Sequence, residues 1–301
     1  MEDSIYPSIQ KTLIYADIFD FPMRKEEIWK FLIASQKVSK KDFLYVLRNK
    51  FENKNNLFFL PGKKYLVSER FLRMEESRKK EKKARKITKI LSFIPTVLLL
   101  GISGSLSLEN AKKTDDIDIF IITRKNTLWI TRAIVLLLLI VLGEKRASGE
   151  KFAKDKICPN MFMSESALFF SKEKQNLFTA HEIAQLKIFV NKSNIYERFL
   201  QSNSWILDFM PNCARIKKNF SYKNSLNDLI FAFFYPIEFL LRLMQRIYMH
   251  KKITKEIVGK NIAQFHPIDM KKYVLELYSL RCLYILGKKS PEIDDYSRIL
   301  T

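Results

Sequence analysis

Two aspartates, Asp116 and Asp118, stand at the mouth of the apolar run "DIDIFIIT" (116–123), with Asp115 beside them. Residues two apart in a strand share a face. Asp116 and Asp118 should therefore project together, with Phe120 and Ile122 beyond them and Ile117, Ile119 and Ile121 on the opposite face. Carboxylates held side by side repel unless a cation sits between them. Mg²⁺ suits such a pair because it keeps part of its shell for water and phosphate oxygens. Upstream, Gly104-Ser105 follows a second apolar run, "TVLLLGI" (96–102). Glycine lets backbone N–H groups approach a phosphate closely, and serine adds a hydroxyl donor. A triphosphate held at Gly104 and Ser105 would reach a metal held by Asp116 and Asp118, the arrangement that in-line phosphoryl transfer requires.

The other metal-binding residue types form no pattern. Cys158, Cys213 and Cys282 are far apart, as are His181, His250 and His266. They suggest neither a disulfide framework nor a zinc site, and they fit a reducing, cytoplasmic setting. His181-Glu182 lacks the second histidine of a zinc-protease helix. The chain opens acidic, Met1-Glu2-Asp3, with no apolar stretch after it, so no secretory leader is expected. The apolar run from Ala133 to Leu142 falls well short of the roughly 20 residues needed to cross a bilayer. It reads as a buried core helix within 127–143, and no integral membrane span is expected.

The elements that must carry these residues fall into an α+β chain of four parts. Residues 1–70 read as helices over 4–19, 21–35 and 39–49, then β-like runs "NLFFL" (56–60) and "KYLVS" (64–68) around the turn Pro61-Gly62-Lys63. Ser39 with Asp42 three residues later is a capping pattern. Three helices followed by a hairpin is the order of a winged helix-turn-helix, whose third helix is the candidate groove reader. Lys40, Lys41, Arg48 and Lys50 lie on it, and Lys63 and Lys64 on the turn. Residues 71–92 read as a basic, solvated linker helix. Over residues 70–90 there are ten Lys or Arg and three Glu.

Residues 93–170 read as a small mixed-sheet core: strands 96–102, 116–123 and 156–164, with the 127–143 helix before the last. Pro159 marks an edge or a bulge. Residues 171–301 read as helical without a strand, over 177–201, 225–250 with a break at Pro236, and 266–286 opened by Pro267 and Asp269. Phe231, Phe233, Phe234, Tyr235, Tyr273 and Tyr278 are assigned to its core.

The order strand, Gly-Ser, a gap of about ten, Asp-Ile-Asp and apolar strand resembles the nucleotidyltransferase superfamily of DNA polymerase beta, and most closely its minimal bacterial and archaeal domains. The motif covers 98–123 and the fold resemblance about 93–165. The resemblance implies that Gly104 and Ser105 bind the NTP and that Asp116 and Asp118 hold Mg²⁺ or Mn²⁺. It also implies transfer of a nucleoside monophosphate to a hydroxyl or other nucleophile, with release of pyrophosphate. Two departures stand out. Glu109 lies where many relatives carry a further glycine. The third family carboxylate, expected in "KICPNMFMS" (156–164), is missing: Asn160 is in the middle, Asp155 just before and Glu165 just after. Asn can ligate a metal but cannot act as a general base.

The charge of +21 over 301 residues favours polyanionic partners without bearing on fold. The hydrophobic share of 47% allows a packed core. Three functions follow from the sequence. The first is a Mg²⁺-dependent nucleotidyltransferase acting on an unidentified acceptor. The alternative is a catalytically weakened, nucleotide-sensing regulator that binds DNA through its winged helix. The third, a peripheral membrane protein, leaves Asp116 and Asp118 unexplained.

Overall fold

The most apolar stretches of the chain become the middle of one sheet. In the computed structural model, residues 2–146, 153–216, 235–250, 257–264 and 270–287 are described. Strands β4 (Val97–Ile102), β5 (Ile117–Thr123) and β6 (Ile157–Ser164) join β7 (Lys187–Asn191), β8 (Ile257–Val258) and β9 (Ile262–Gln264) in a six-stranded mixed sheet of order β7-β4-β5-β6-β9-β8. Only β5 and β6 run parallel, and the connection between them carries helix α6 (Leu128–Val141), as a parallel pair requires. Both faces of the sheet are covered. Ile117, Ile119 and Ile121 pack with one face of α6 and with Ile87 and Leu91 of helix α4 (Leu66–Leu91). Phe120 and Ile122 pack with helices α7 (Leu177–Ala184) and α8 (Ile195–Ser202) on the opposite face. The alternation expected of 116–123 is therefore present, and it puts Asp118 on the α7 side.

The N-terminal unit runs α1 (Glu2–Asp17), β1 (Met23–Arg24), α2 (Lys25–Lys30), α3 (Lys40–Lys50), β2 (Asn53–Lys54), β3 (Leu57–Phe58), with a three-stranded sheet of order β1-β3-β2. Ser39 caps α3 by accepting from the Asp42 N–H. "KYLVS" is not the expected second hairpin strand, because Leu66 opens α4. Its buried positions, Leu66, Val67, Arg70, Arg73, Met74, Ser77, Lys80, Ala84, Ile87 and Leu91, recur at the helical period. The hairpin is instead β2–β3.

Helix α4 is also not a solvated linker. The Arg70 guanidinium is fully buried, donates to the Leu108 and Glu109 carbonyls, and pairs with Glu27 at 3.0 Å. Lys80, also fully buried, donates to the carbonyl of Asp115 at 2.6 Å and to Asp155 Oδ1 at 2.7 Å. These hydrogen bonds offset the cost of burying two cations, and α4 braces the N-terminal unit against the loop that carries the aspartates.

Past residue 171 the chain is not wholly helical. The 177–201 stretch divides into α7, β7 and α8, and β8–β9 adds two further strands, so the sheet runs across the boundary at 170. β7 can pair with β4 because Gly101 has no side chain: a Cβ there would lie 3.0 Å from the Lys187 carbonyl oxygen and from Ile188 Cδ1. α6 is buried along Leu128, Trp129, Thr131, Val135 and Leu139, whereas Leu137, Ile140 and Val141 are exposed. The 127–143 helix is thus buried on one face only.

Helix α9 spans Ile206–Phe209. Helix α10 (Tyr235–His250) has Pro236 in its first turn, and helix α11 is Met270–Leu286. Tyr278 is core, but Tyr235 and Tyr273 are exposed rather than buried. Phe231, Phe233, Phe234, Pro267 and Asp269 lie outside the described residues. Among the described residues no helix is long and apolar enough to cross a membrane.

Candidate active site at the start of β5 and β6

Parallel pairing brings the first residues of β5 and β6 to the same sheet end, with Ile117 opposite Ile157 and Asp118 opposite Cys158. One ligand atom from each of Asp116, Asp118 and Cys158 lies within 4.8 Å of the others. The Cys158 thiol hydrogen-bonds the Asp118 carboxylate. Arg146, which enters from the segment after α6, pairs with Asp116 at 2.7 Å. Withdrawal from water, then the charges of Asp116 and Glu182, push Asp118 up to about 8. Burial, then the same two aspartates, raise Cys158 and keep it a thiol.

Gly104 begins the short turn of helix α5 (Gly104–Ser107) at φ +62°, and a Cβ there would lie 3.2 Å from Asp118 Oδ2. The turn is also fastened by the Ser103 N–H donating to the Asp118 carbonyl. The Ser105 hydroxyl donates to Asp115 Oδ2 at 3.1 Å. Asp115 also accepts from the Lys112 N–H, so it closes the 112–115 turn rather than adding to the carboxylate pair. Of the residues singled out in the sequence, Gly104 lies against Asp118 and Asp118 beside Asp116, while the Ser105 hydroxyl is engaged by Asp115.

Glu109 has φ +56°, the left-handed region that glycine favours. Its carboxylate turns to Arg24 at 3.5 Å.

Neither candidate for the third carboxylate reaches the pair. Asp155 is held by Lys80. Glu165 follows the far end of β6, where it accepts from the Lys125 N–H and pairs with Arg198. Asn160 is the extra residue of a β6 bulge between Pro159 and Met161. The group facing Asp118 is Cys158.

No protein-family model, curated protein or solved structure matches this chain. The geometry alone therefore carries the functional argument. The two carboxylates are hard oxygen donors of the kind that could hold a divalent cation. A protonated thiol is no ligand for such an ion.

Sequence reasoning missed Cys158 and Arg146. Cys158 carried a findable signal, since it opens the strand parallel to β5 at the level of Asp118. Arg146 reaches Asp116 only through the fold and left no sequence signal.

Proposed function

We propose that the chain is a divalent-metal-dependent nucleotidyltransferase that moves a nucleoside monophosphate from an NTP to an acceptor nucleophile. The observation that carries it is the contact between the two halves of the motif: the Gly104 turn lies against Asp118, beside Asp116. Asp116 and Asp118 would hold Mg²⁺ or Mn²⁺, which when bound supplies positive charge to the triphosphate. The Gly104–Ser105 turn would seat the phosphate oxygens, where the absence of a side chain at Gly104 permits close approach. Arg146 neutralises Asp116 in the free protein, and on nucleotide binding it is positioned to move to a phosphate oxygen. The N-terminal unit is read as a winged helix, supported by its α-β-α-α-β-β order and by exposed Lys40, Lys41, Arg48 and Lys50 on α3. Nucleic acid is the partner this face would suit.

A second function, a nucleotide-sensing regulator with weakened catalysis that binds nucleic acid through α3, is favoured by Cys158. A thiol kept protonated cannot replace the general base that a third carboxylate would supply.

Electron paramagnetic resonance of Mn²⁺ with a non-hydrolysable NTP analogue tests the site common to both. The wild-type protein should bind the pair and Asp116→Ala should not. Equal binding by the two would exclude both functions.

A further inference from the structure

The Gly104–Ser105 turn lines one side of a cavity of about 100 Å³ between α1, the end of α2 and α7. Its wall is largely aromatic, with Tyr15, Phe19, Phe21 and Phe31. Polar residues interrupt that wall, among them Asn110, His181 and Glu182. His181 is 6% exposed and Asn110 5% exposed, yet His181 Nε2 and Asn110 Oδ1 have no hydrogen-bond partner among the described residues. Buried polar atoms are nearly always paired, and leaving one unpaired costs free energy. Neither group is misplaced by looseness. The His181 ring stacks on Tyr15 at 4.0 Å and 10°, and the Asn110 amide is fixed by its Nδ2 donating to the Phe19 carbonyl. Glu182 is partly buried and accepts from Gln185, and no cation among the described residues offsets its withdrawal from water.

We propose that this cavity is a binding site for a small amine with a ring or other compact apolar body. Asn110 Oδ1 and the Glu182 carboxylate are acceptors, so the ligand must bring donors, and an ammonium satisfies both. The aromatic wall buries the apolar body and favours a cation through its ring faces. His181 is neutral, so it does not repel the ammonium and its Nε2 takes a further hydrogen bond. The site borders the turn proposed to seat the triphosphate, but its recognition of an amine by Asn110, His181 and Glu182 needs neither metal nor nucleotide.

The test is an NMR titration of the full-length protein, without metal or nucleotide. The probes are benzylamine and cyclohexylmethylamine, each paired with its neutral counterpart, benzyl alcohol and cyclohexylmethanol. The amines should shift the Ala16 and Met23 methyl resonances, which line the cavity, and bind at least about tenfold more tightly than the alcohols. Glu182→Gln should abolish that preference, and Ala16→Leu should abolish binding by filling the space. Thermal melts check that each variant folds, and Glu182→Gln alone suffices if Ala16→Leu does not. The proposal is overturned if no amine shifts these methyls, if alcohols bind as well, or if Glu182→Gln keeps the preference. It is also overturned if a crystal structure grown with the amines shows only water on His181 and Asn110. Loss of Mn²⁺–nucleotide binding with intact amine binding would sink the proposed enzyme function alone, and the reverse would sink this site alone.

Discussion

Replacing Gly104 with alanine separates a structural glycine from one that shapes the metal site. Two costs are predicted. The first is backbone strain: at φ +62°, a side chain costs about 1–2 kcal/mol. The second is local. The new Cβ would lie 3.2 Å from Asp118 Oδ2, so the carboxylate must shift by a few tenths of an ångström. Comparable disturbance of groups that orient metal ligands lowers metal affinity by about 10–100-fold. Gly62 supplies the control, because it also has positive φ, +80°, but a Cβ there meets nothing within 4 Å. Gly62→Ala should lose stability in urea titration and keep wild-type Mn²⁺–nucleotide affinity, measured by calorimetry. Gly104→Ala should lose both. The reasoning is refuted if Gly104→Ala keeps wild-type affinity, or if Gly62→Ala loses as much affinity as Gly104→Ala.

Other perturbations probe the supports and the electrostatics. Burial lowers His181 to about 3 and raises Glu182 to about 7, so the two act on stability with opposite signs. Below the usual histidine value the unfolded chain takes up the His181 proton and the native state does not, so stability falls with pH by up to about 1.4 kcal/mol per unit. Below pH 7 the native state takes up the Glu182 proton first, so that contribution rises on acidification until the unfolded chain also protonates. Relative to wild type, Glu182→Gln should lose urea resistance between pH 7 and 5 and His181→Gln should gain it; reversed signs would show the assignments wrong. Cys158→Asp supplies a third carboxylate and should raise Mn²⁺ affinity about tenfold, and unchanged affinity by calorimetry would mean residue 158 does not face the ion. Lys80→Met removes the hydrogen bonds to the Asp115 carbonyl and to Asp155. It should cost about 2–3 kcal/mol in urea unfolding, and a smaller loss than from an exposed lysine such as Lys41 would contradict the bracing role of α4.

The approach of Gly104 to Asp118 was legible because spacing and strand alternation both point to it. Asp116, Asp118, Gly104 and Ser105 are near in sequence, and strand alternation correctly places Asp118 with Phe120 and Ile122. The third position was only partly legible: it depends on the register between β5 and β6, which sets Cys158 opposite Asp118, whereas Asn160 falls in a bulge further along β6. Helix α4 was misjudged because Arg70, Ser77 and Lys80 occupy its buried stripe. An apolar-only periodicity hides a face held by buried cations. Strand β7 was lost between two helices because "KIFVN" is a short edge strand with half-buried residues, and its alternation is weak. The amine cavity, built from four sequence-distant segments, had no local signature at all.

The central claim is transfer of the α-phosphoryl group, and the most direct measurement uses NTPs labelled at the α or γ position. These are incubated with the protein, Mg²⁺ or Mn²⁺, and pools of RNA, DNA, protein and small amines. If the chain is a nucleotidyltransferase, α-label enters an acceptor, γ-label appears only in pyrophosphate, and both signals vanish in a folded Asp116→Ala variant. Acceptor-bound γ-label, or incorporation that survives Asp116→Ala, would contradict that claim.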